Sequence, residues 1–402
     1  MITGDAAYIK KINRSLIIRH IIKEGMISRA DLSKITALTR ATISAQVADL
    51  LEEGLIVETQ LEHNSVGRKP IMLSINRHAG YALGIDLDYG QLSFTLSDLL
   101  GQPISSISIK IDTIDYSEIF QLLMGQIKKF QTDYSDSQYG IVGIVIAIHG
   151  LVSKDEVIHY VPRLKWDEMN LKRDLESEID IPIYLENNAN VCSFAERVYL
   201  HHDTDNLLCT TLYSGIGIGM MMKDEFFRGH DGYAGEAGHM IIVPGGKPCN
   251  CGNQGCWEKY ASESSIFEYL SEKRKIKNLT YDQIQVWLDE GDAEVHHLME
   301  QLIYYLAIGL NNMINMYNPD VIVLESELLR MFPDSLSKIK RNLTSSISHY
   351  RELIISDFGK KSVVLGSCAL AIKKFLEVPM LNFTFEEQNE KNESVVILTK
   401  NL

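Results

Sequence analysis

No run of about 18 consecutive apolar residues occurs anywhere in this 402-residue chain, which excludes an ordinary membrane-spanning helix. Its opening stretch, Met1 to Ser15, lacks the apolar core of a secretory leader, so the expected location is the cytoplasm, with no membrane partner. Cysteine is scarce. There are six, and three of them crowd into one short segment, so no disulfide framework is implied. Cys192, Cys209 and Cys368 then read as reduced core residues. Low-complexity repeats are also missing.

Positive charge is in deficit overall, with 39 Lys/Arg against 53 Asp/Glu and a net charge of −14, a balance that ordinarily argues against nucleic-acid binding. The distribution reverses that conclusion. Residues 1–78 carry eleven Lys/Arg and eight Asp/Glu, whereas the remainder is strongly acidic. A small basic module joined to a large acidic body is the charge pattern of a DNA reader tethered to a sensor.

What is present in concentrated form is a metal-ligand set. Cys249, Cys251 and Cys256, with His239 upstream in Gly235-Glu-Ala-Gly-His239, supply three thiolates and an imidazole, the donors of a closed tetrahedral structural zinc site. One residue between Cys249 and Cys251 is an awkward spacing for a mutual disulfide, and Gly252 and Gly255 permit the tight turns of a metal knuckle. Two carboxylates, Glu236 and Glu258, fall within the same segment.

In the basic module, Asn13 to Glu24 has helical apolar spacing with Gly25 just past its end, and Ser28 with Asp31 forms a capping pattern for a second helix that turns Leu32 and Ile35 inward. After a turn at Thr36–Leu38, Thr39 caps a third helix that buries Ile43, Val47, Leu50 and Leu51 and leaves Arg40, Thr42, Ser44 and Gln46 on or beside its open face. This is a helix-turn-helix whose third helix would enter the major groove, where arginine and glutamine suit guanine and adenine edges. Two strand-like runs, Leu55–Thr59 and Ile71–Ile75, flank a polar loop with Gly67-Arg-Lys-Pro70, a wing whose Arg68 and Lys69 could reach a minor groove or phosphates. A protein-binding helical module is the alternative to the helix pair, and a solvated loop the alternative to the wing. Beyond Gly80, apolar runs alternate with helical segments, the pattern of an α/β body in two halves that divide near residue 200.

These motifs closely resemble the ROK proteins, bacterial sugar kinases and the sugar-responsive repressors related to them. The zinc segment is the most specific match, and Leu38–Val47, Gly67–Pro70 and Gly84–Leu87 look like the xylose-repressor branch. The resemblance implies an α/β fold with an N-terminal winged helix-turn-helix followed by a two-lobed actin-like body closing on a sugar cleft. It places the winged module at residues 1–78, the two lobes at 79–200 and 201–385, and a tail at 386–402. Sugar-contacting positions would be Asn187, Asn188, Glu236, His239 and Glu258, with His239 holding zinc through one nitrogen and facing the sugar with the other.

Against the kinases of the family, Asn188 stands where a catalytic aspartate is expected, and an amide cannot take a proton from a sugar hydroxyl. The first phosphate loop reads Asp86-Leu-Asp-Tyr-Gly-Gln91, Tyr213 replaces a glycine before the second, and the adenosine-side strand ends in Glu325-Ser-Glu327 rather than two glycines. The expectation is therefore a repressor and not an enzyme. A homodimer, with a tetramer left open, would hold double-stranded operator DNA and release it on binding a sugar, D-xylose being the first candidate. His149 in place of a family proline, and Arg163 in place of an asparagine, leave a charged or substituted sugar open. A bifunctional sugar kinase with a DNA-binding domain, and a repressor answering to a phosphosugar or a partner protein, are the rival readings.

Overall fold

A computed structural model describes residues 6–60, 71–384 and 393–396. The chain opens with α1 (Ala6–Glu24), β1 (Ile27–Ser28), α2 (Arg29–Thr36), α3 (Arg40–Glu52), β2 (Ile56–Gln60) and β3 (Ile71–Ile75). Both expected caps are present: the Ser28 hydroxyl accepts from Asp31 N–H and the Thr39 hydroxyl from Thr42 N–H, each at 3.1 Å. Ile17, Ile18, Ile21, Leu32, Ile43, Val47 and Leu50 are fully buried between the helices. The strands form the antiparallel order β1-β3-β2. Three details differ from the sequence expectation. α1 begins at Ala6 rather than Asn13, Ile35 is 46% exposed in the last turn of the eight-residue α2, and Gln46 is only 6% exposed. Gln46 sits beside Val47 on the packed stripe rather than on the open face.

The first lobe of the body contains β4 (Tyr81–Asp88), β5 (Gln91–Asp98), β6 (Pro103–Lys110), α4 (Tyr116–Asp133), β7 (Ile141–Ile148), β8 (Leu151–Val152), β9 (Ile158–Val161), β10 (Trp166–Met169), α5 (Leu171–Glu176) and β11 (Ile183–Asn187). All eight residues of β7 are buried, so a continuous apolar run reads as a central strand. After α6 (Asn188–Tyr199) come β12 (Asn206–Thr211), β13 (Gly217–Met222), β14 (Glu225–Phe226), α7 (Glu258–Ala261), α8 (Glu263–Arg274), α9 (Tyr281–Asp289) and α10 (Ala293–Tyr317). The chain ends with β15 (Val321–Glu325), α11 (Glu327–Met331), α12 (Ser335–Asn342), β16 (Glu352–Ile355), α13 (Lys361–Leu376) and β17 (Glu393–Val396).

Two larger sheets result, with orders β11-β7-β4-β5-β6-β17 and β14-β13-β12-β15-β16. In the second, β12, β15 and β16 run parallel, and α10 covers the sheet with a stripe that includes Val295, Met299, Leu302, Leu306, Leu310 and Met313, all at most 2% exposed. Asp292 caps the start of α10, and Asn318 in the left-handed region ends it before Pro319.

The compact units are not consecutive segments. One comprises the chain up to Glu186, Val198–His202 and everything from Val363; the other comprises Asn187–Arg197 and Asp203–Ser362. The division at residue 200 therefore needs two amendments: α13 returns to the first unit, and most of α6 belongs to the second. Glu393–Val396 of the expected tail pairs parallel with β6. Among the described residues, no helix is long and apolar enough to cross a membrane.

Candidate functional site

All five expected sugar-contacting residues fall in the second unit. β11 ends at Asn187, whose Oδ1 accepts from Ala189 N–H at 2.8 Å and Asn190 N–H at 3.4 Å, so this side chain starts α6. Asn188 is the first residue of that helix and half-buried. Glu236 precedes a short 3-10 turn, Ala237–His239. Gly235, at φ 107°, and Gly238 let this turn lie on β13: a Cβ at either would come within 2.3 Å of the Ile218 or Ile216 carbonyl oxygen.

The four expected metal ligands do converge. One donor atom from each of His239, Cys249, Cys251 and Cys256 lies within 4.8 Å of all the others. Cys249 Sγ is 3.6 Å from His239 Nδ1, and Cys251 Sγ is 3.6 Å from Cys256 Sγ. A tetrahedron with zinc–sulfur and zinc–nitrogen bonds of about 2.0–2.3 Å has edges of roughly 3.5–3.8 Å, so this donor set fits the ion. The knuckle is built by Cys249 N–H donating to Asn253 O (2.9 Å) and Gly252 N–H to Cys249 O (3.1 Å). Gly252 and Gly255 have φ of 94° and 89°, as their expected turn role requires.

His239 presents Nδ1 to the thiols and Nε2 to Glu236 Oε2, 3.8 Å away. Glu258 Oε1 lies 3.2 Å from Cys249 Sγ and 3.7 Å from His239 Nδ1. Its other oxygen points at Gly215, where a Cβ would approach to 2.9 Å. A glycine of the second loop thus makes room for this carboxylate.

The positions that depart from the kinase pattern are filled by charged and aromatic side chains. In the first unit, His149 Nε2 pairs with Asp86 Oδ1 at 2.7 Å, and its Nδ1 lies 3.7 Å from Asp88 Oδ1. β4 and β7 run parallel with Leu87 opposite Ile148, which brings these residues to one end of the sheet. Sequence spacing does not join His149 to Asp86, because their meeting depends on the register of β4 with β7. The Arg163 guanidinium sits 5.8 Å from the centre of the Tyr89 ring. In the second unit, Glu325 is fully buried, and burial followed by the charge of Glu196 pushes its carboxyl up to about 8. The Lys360 ammonium lies 5.5 Å above the Tyr213 ring.

Burial acts to lower the His149 pKa, but Asp88 and Asp86 outweigh it and raise the value from 6.5 to about 9. The folded value exceeds the unfolded one, so the stabilisation is complete below about pH 6.5 and disappears as pH rises through about 9. The thermal stability lost in a His149→Gln variant should therefore be largest near pH 6 and shrink toward pH 10. A constant difference in melting temperature across that range would contradict the ion-pair assignment.

On the candidate nucleic-acid face, Arg40 and Ser44 are exposed and Thr42 is half-buried, its hydroxyl 2.9 Å from that of Thr39. Arg68 and Lys69 lie outside the described residues.

The ROK family profile matches residues 82–374, and a winged helix-turn-helix DNA-binding profile matches residues 12–57. Xylose repressors of Bacillus spizizenii and Bacillus subtilis are each 33% identical over 380 residues, covering 93% of this chain and 98% of theirs. A solved ROK family transcriptional regulator, described as a homologue of the E. coli MLC protein, is 27% identical with a TM-score of 0.78, covering 92% of this chain and 96% of that one. A Streptomyces griseus ROK glucokinase solved with glucose and AMPPNP is 21% identical with a TM-score of 0.64, covering 72% of this chain and 99% of its own, a likeness of fold. With the family profile spanning most of its length behind a winged module, the chain belongs to the ROK family, as one of its helix-turn-helix transcriptional regulators.

Proposed function

We propose that this protein represses carbohydrate-utilisation genes by binding operator DNA and is released by a sugar held at Asn187, Asn188, Glu236, His239 and Glu258. The observation that carries the reading is Asn188 at the start of α6, where catalysis would need a carboxylate base. Amides and carboxylates placed together can both donate to and accept from neighbouring hydroxyls, and they discriminate because a missing hydroxyl leaves a polar group unpaired. His239, Cys249, Cys251 and Cys256 would hold a structural zinc that fixes the ring orientation of His239 and leaves no open coordination position.

The protein acts as a homodimer in this reading, matching an operator of two half-sites, with Arg40, Thr42 and Ser44 facing bases or phosphates and Arg68 and Lys69 in the wing. D-xylose is the first candidate effector, supported by the two Bacillus repressors. An operator gel shift titrated with xylose, glucose, N-acetylglucosamine and sugar phosphates tests this directly. Release by xylose supports the full reading, while release by a sugar phosphate alone moves the effector to the charged class. Linkage adds a stricter check: operator DNA must weaken sugar binding by the same factor as sugar weakens operator binding. Equal sugar affinity in calorimetry with and without operator would sink the mechanism.

The fold shared with the glucokinase favours one rival, a bifunctional kinase. Asn188 opposes it, because an amide there removes the base that would take a proton from the sugar hydroxyl. ADP release over a sugar panel decides between the two readings.

A further inference from the structure

The C-terminal end of α3 is fastened to the first lobe by groups that the winged module does not supply. α3 closes on Gly54, at φ 63°, with Gly54 N–H donating to Leu51 O and Leu55 N–H to Leu50 O, both at 3.0 Å. This closure leaves the Glu53 carbonyl without a donor from its own helix end. Gln138 Nε2 and the Tyr139 hydroxyl both donate to it, each at 2.7 Å. These donors lie on the short segment between α4 and β7. Gln138 also packs on Gly54, where a Cβ would come 2.1 Å from its Oε1.

The surroundings make this contact stiff. Arg14 of α1 pairs with the Glu53 carboxylate at 2.6 Å, and Asn76 Nδ2 donates to Gly54 O at 2.9 Å. Tyr139 N–H donates to Ala79 O at 2.8 Å, and its ring meets Phe375 of α13 edge-on with centroids 5.2 Å apart. A 13-residue helix is about 20 Å long, so a tilt of about 10° at the anchored end moves the Arg40 end by roughly 3 Å, close to one base-pair rise.

We propose that Gln138 and Tyr139 are positioning residues: through the Glu53 carbonyl they tie the axis of α3 to the sensing body, so that the first lobe sets the orientation of the operator-reading helix. The inference rests on α3 being that helix. It assigns to two residues of the body a role in DNA recognition that contact with DNA would never reveal.

The test uses the full chain with nitroxide labels at Ala48→Cys on α3 and Lys129→Cys on α4, both exposed positions. Pulsed electron resonance then gives the distance distribution between the two elements. With Gln138 and Tyr139 intact the distribution should be narrow. In the Gln138→Ala, Tyr139→Phe double variant, which keeps the ring against Phe375, it should broaden, and affinity for DNA selected by the parent from a random pool should fall about tenfold. The Tyr139→Phe single variant should fall between the two. A merely structural contact predicts a lower melting temperature with an equally narrow distribution, and that result overturns the proposal, as does an unchanged distribution with unchanged affinity. If the parent selects no DNA from the pool, operator reading itself fails, while the label distances still decide whether the two residues hold α3.

Discussion

Replacing Cys251 by serine is expected to lower zinc affinity by about 100-fold or more, to abolish the sugar response, and to leave operator binding in place. Cys251 is the exposed member of the ligand set, whereas Cys256 is fully buried, so this substitution removes a donor without opening a hole in the core. Loss of the ion frees three remaining donors from a common centre. Without a cation, burial pushes the Cys249 thiol up, which keeps it protonated beside the Glu258 carboxylate. His239 then loses the ion that would fix its ring, and Glu258, two residues beyond Cys256, loses the fixed base of its loop. The winged module has its own core of Ile17, Ile21, Leu32, Ile43 and Leu50 and does not depend on this knuckle. Chelator competition measures the metal, calorimetry the sugar, and a gel shift the operator. Loss of operator binding with zinc and sugar binding intact would contradict this division of labour.

Trp257→Ala should be the most damaging single change to stability, at about 3–5 kcal/mol. Trp257 is fully buried, and its indole lies flat on Gly309 of α10, where a Cβ would fall 2.0 Å from Cε2. Its Nε1 donates to the Tyr305 carbonyl at 2.9 Å, so truncation opens a cavity and also removes this second donor from a helix carbonyl. At about 2–4 °C per kcal/mol for a body of this size, the melting temperature should drop by roughly 6–20 °C. Trp257 joins the last metal ligand, Cys256, to the first residue of α7, Glu258, so the same variant should also weaken sugar binding. Calorimetric melting checks the first effect. A loss below about 1 kcal/mol would mean that the knuckle is not keyed into α10 through this ring.

The helix caps, the apolar stripe of α10 and the ligand types of the metal knuckle are local properties, each legible within a few residues. Ser28 and Thr39 cap because their hydroxyls reach a backbone N–H three positions on, a relation that sequence spacing alone specifies. The candidate metal ligands are legible for the same reason, since thiolates flanking glycines have few other uses. Gln46 is buried rather than open because it lies at the edge of the α3 stripe, where helical spacing cannot say on which side packing closes. The pairing of His149 with Asp86 was invisible because it depends on the parallel register of β4 with β7, strands more than fifty residues apart. The joint at Gln138 and Tyr139 carried no motif at all; it exists because a loop of the body happens to reach one carbonyl.

By itself, therefore, the sequence determined the family, the order of the modules, a His/Cys donor set able to hold a metal ion and an amide rather than a carboxylate at Asn188, all of which are matters of residue identity at short spacing. Tertiary structure decided that α13 returns to the first unit, that Glu258 turns toward Cys249 and Gly215, and that the end of α3 is held by the body. These depend on which distant backbone a side chain meets, and that is set by packing of whole elements rather than by the periodicity of any one of them.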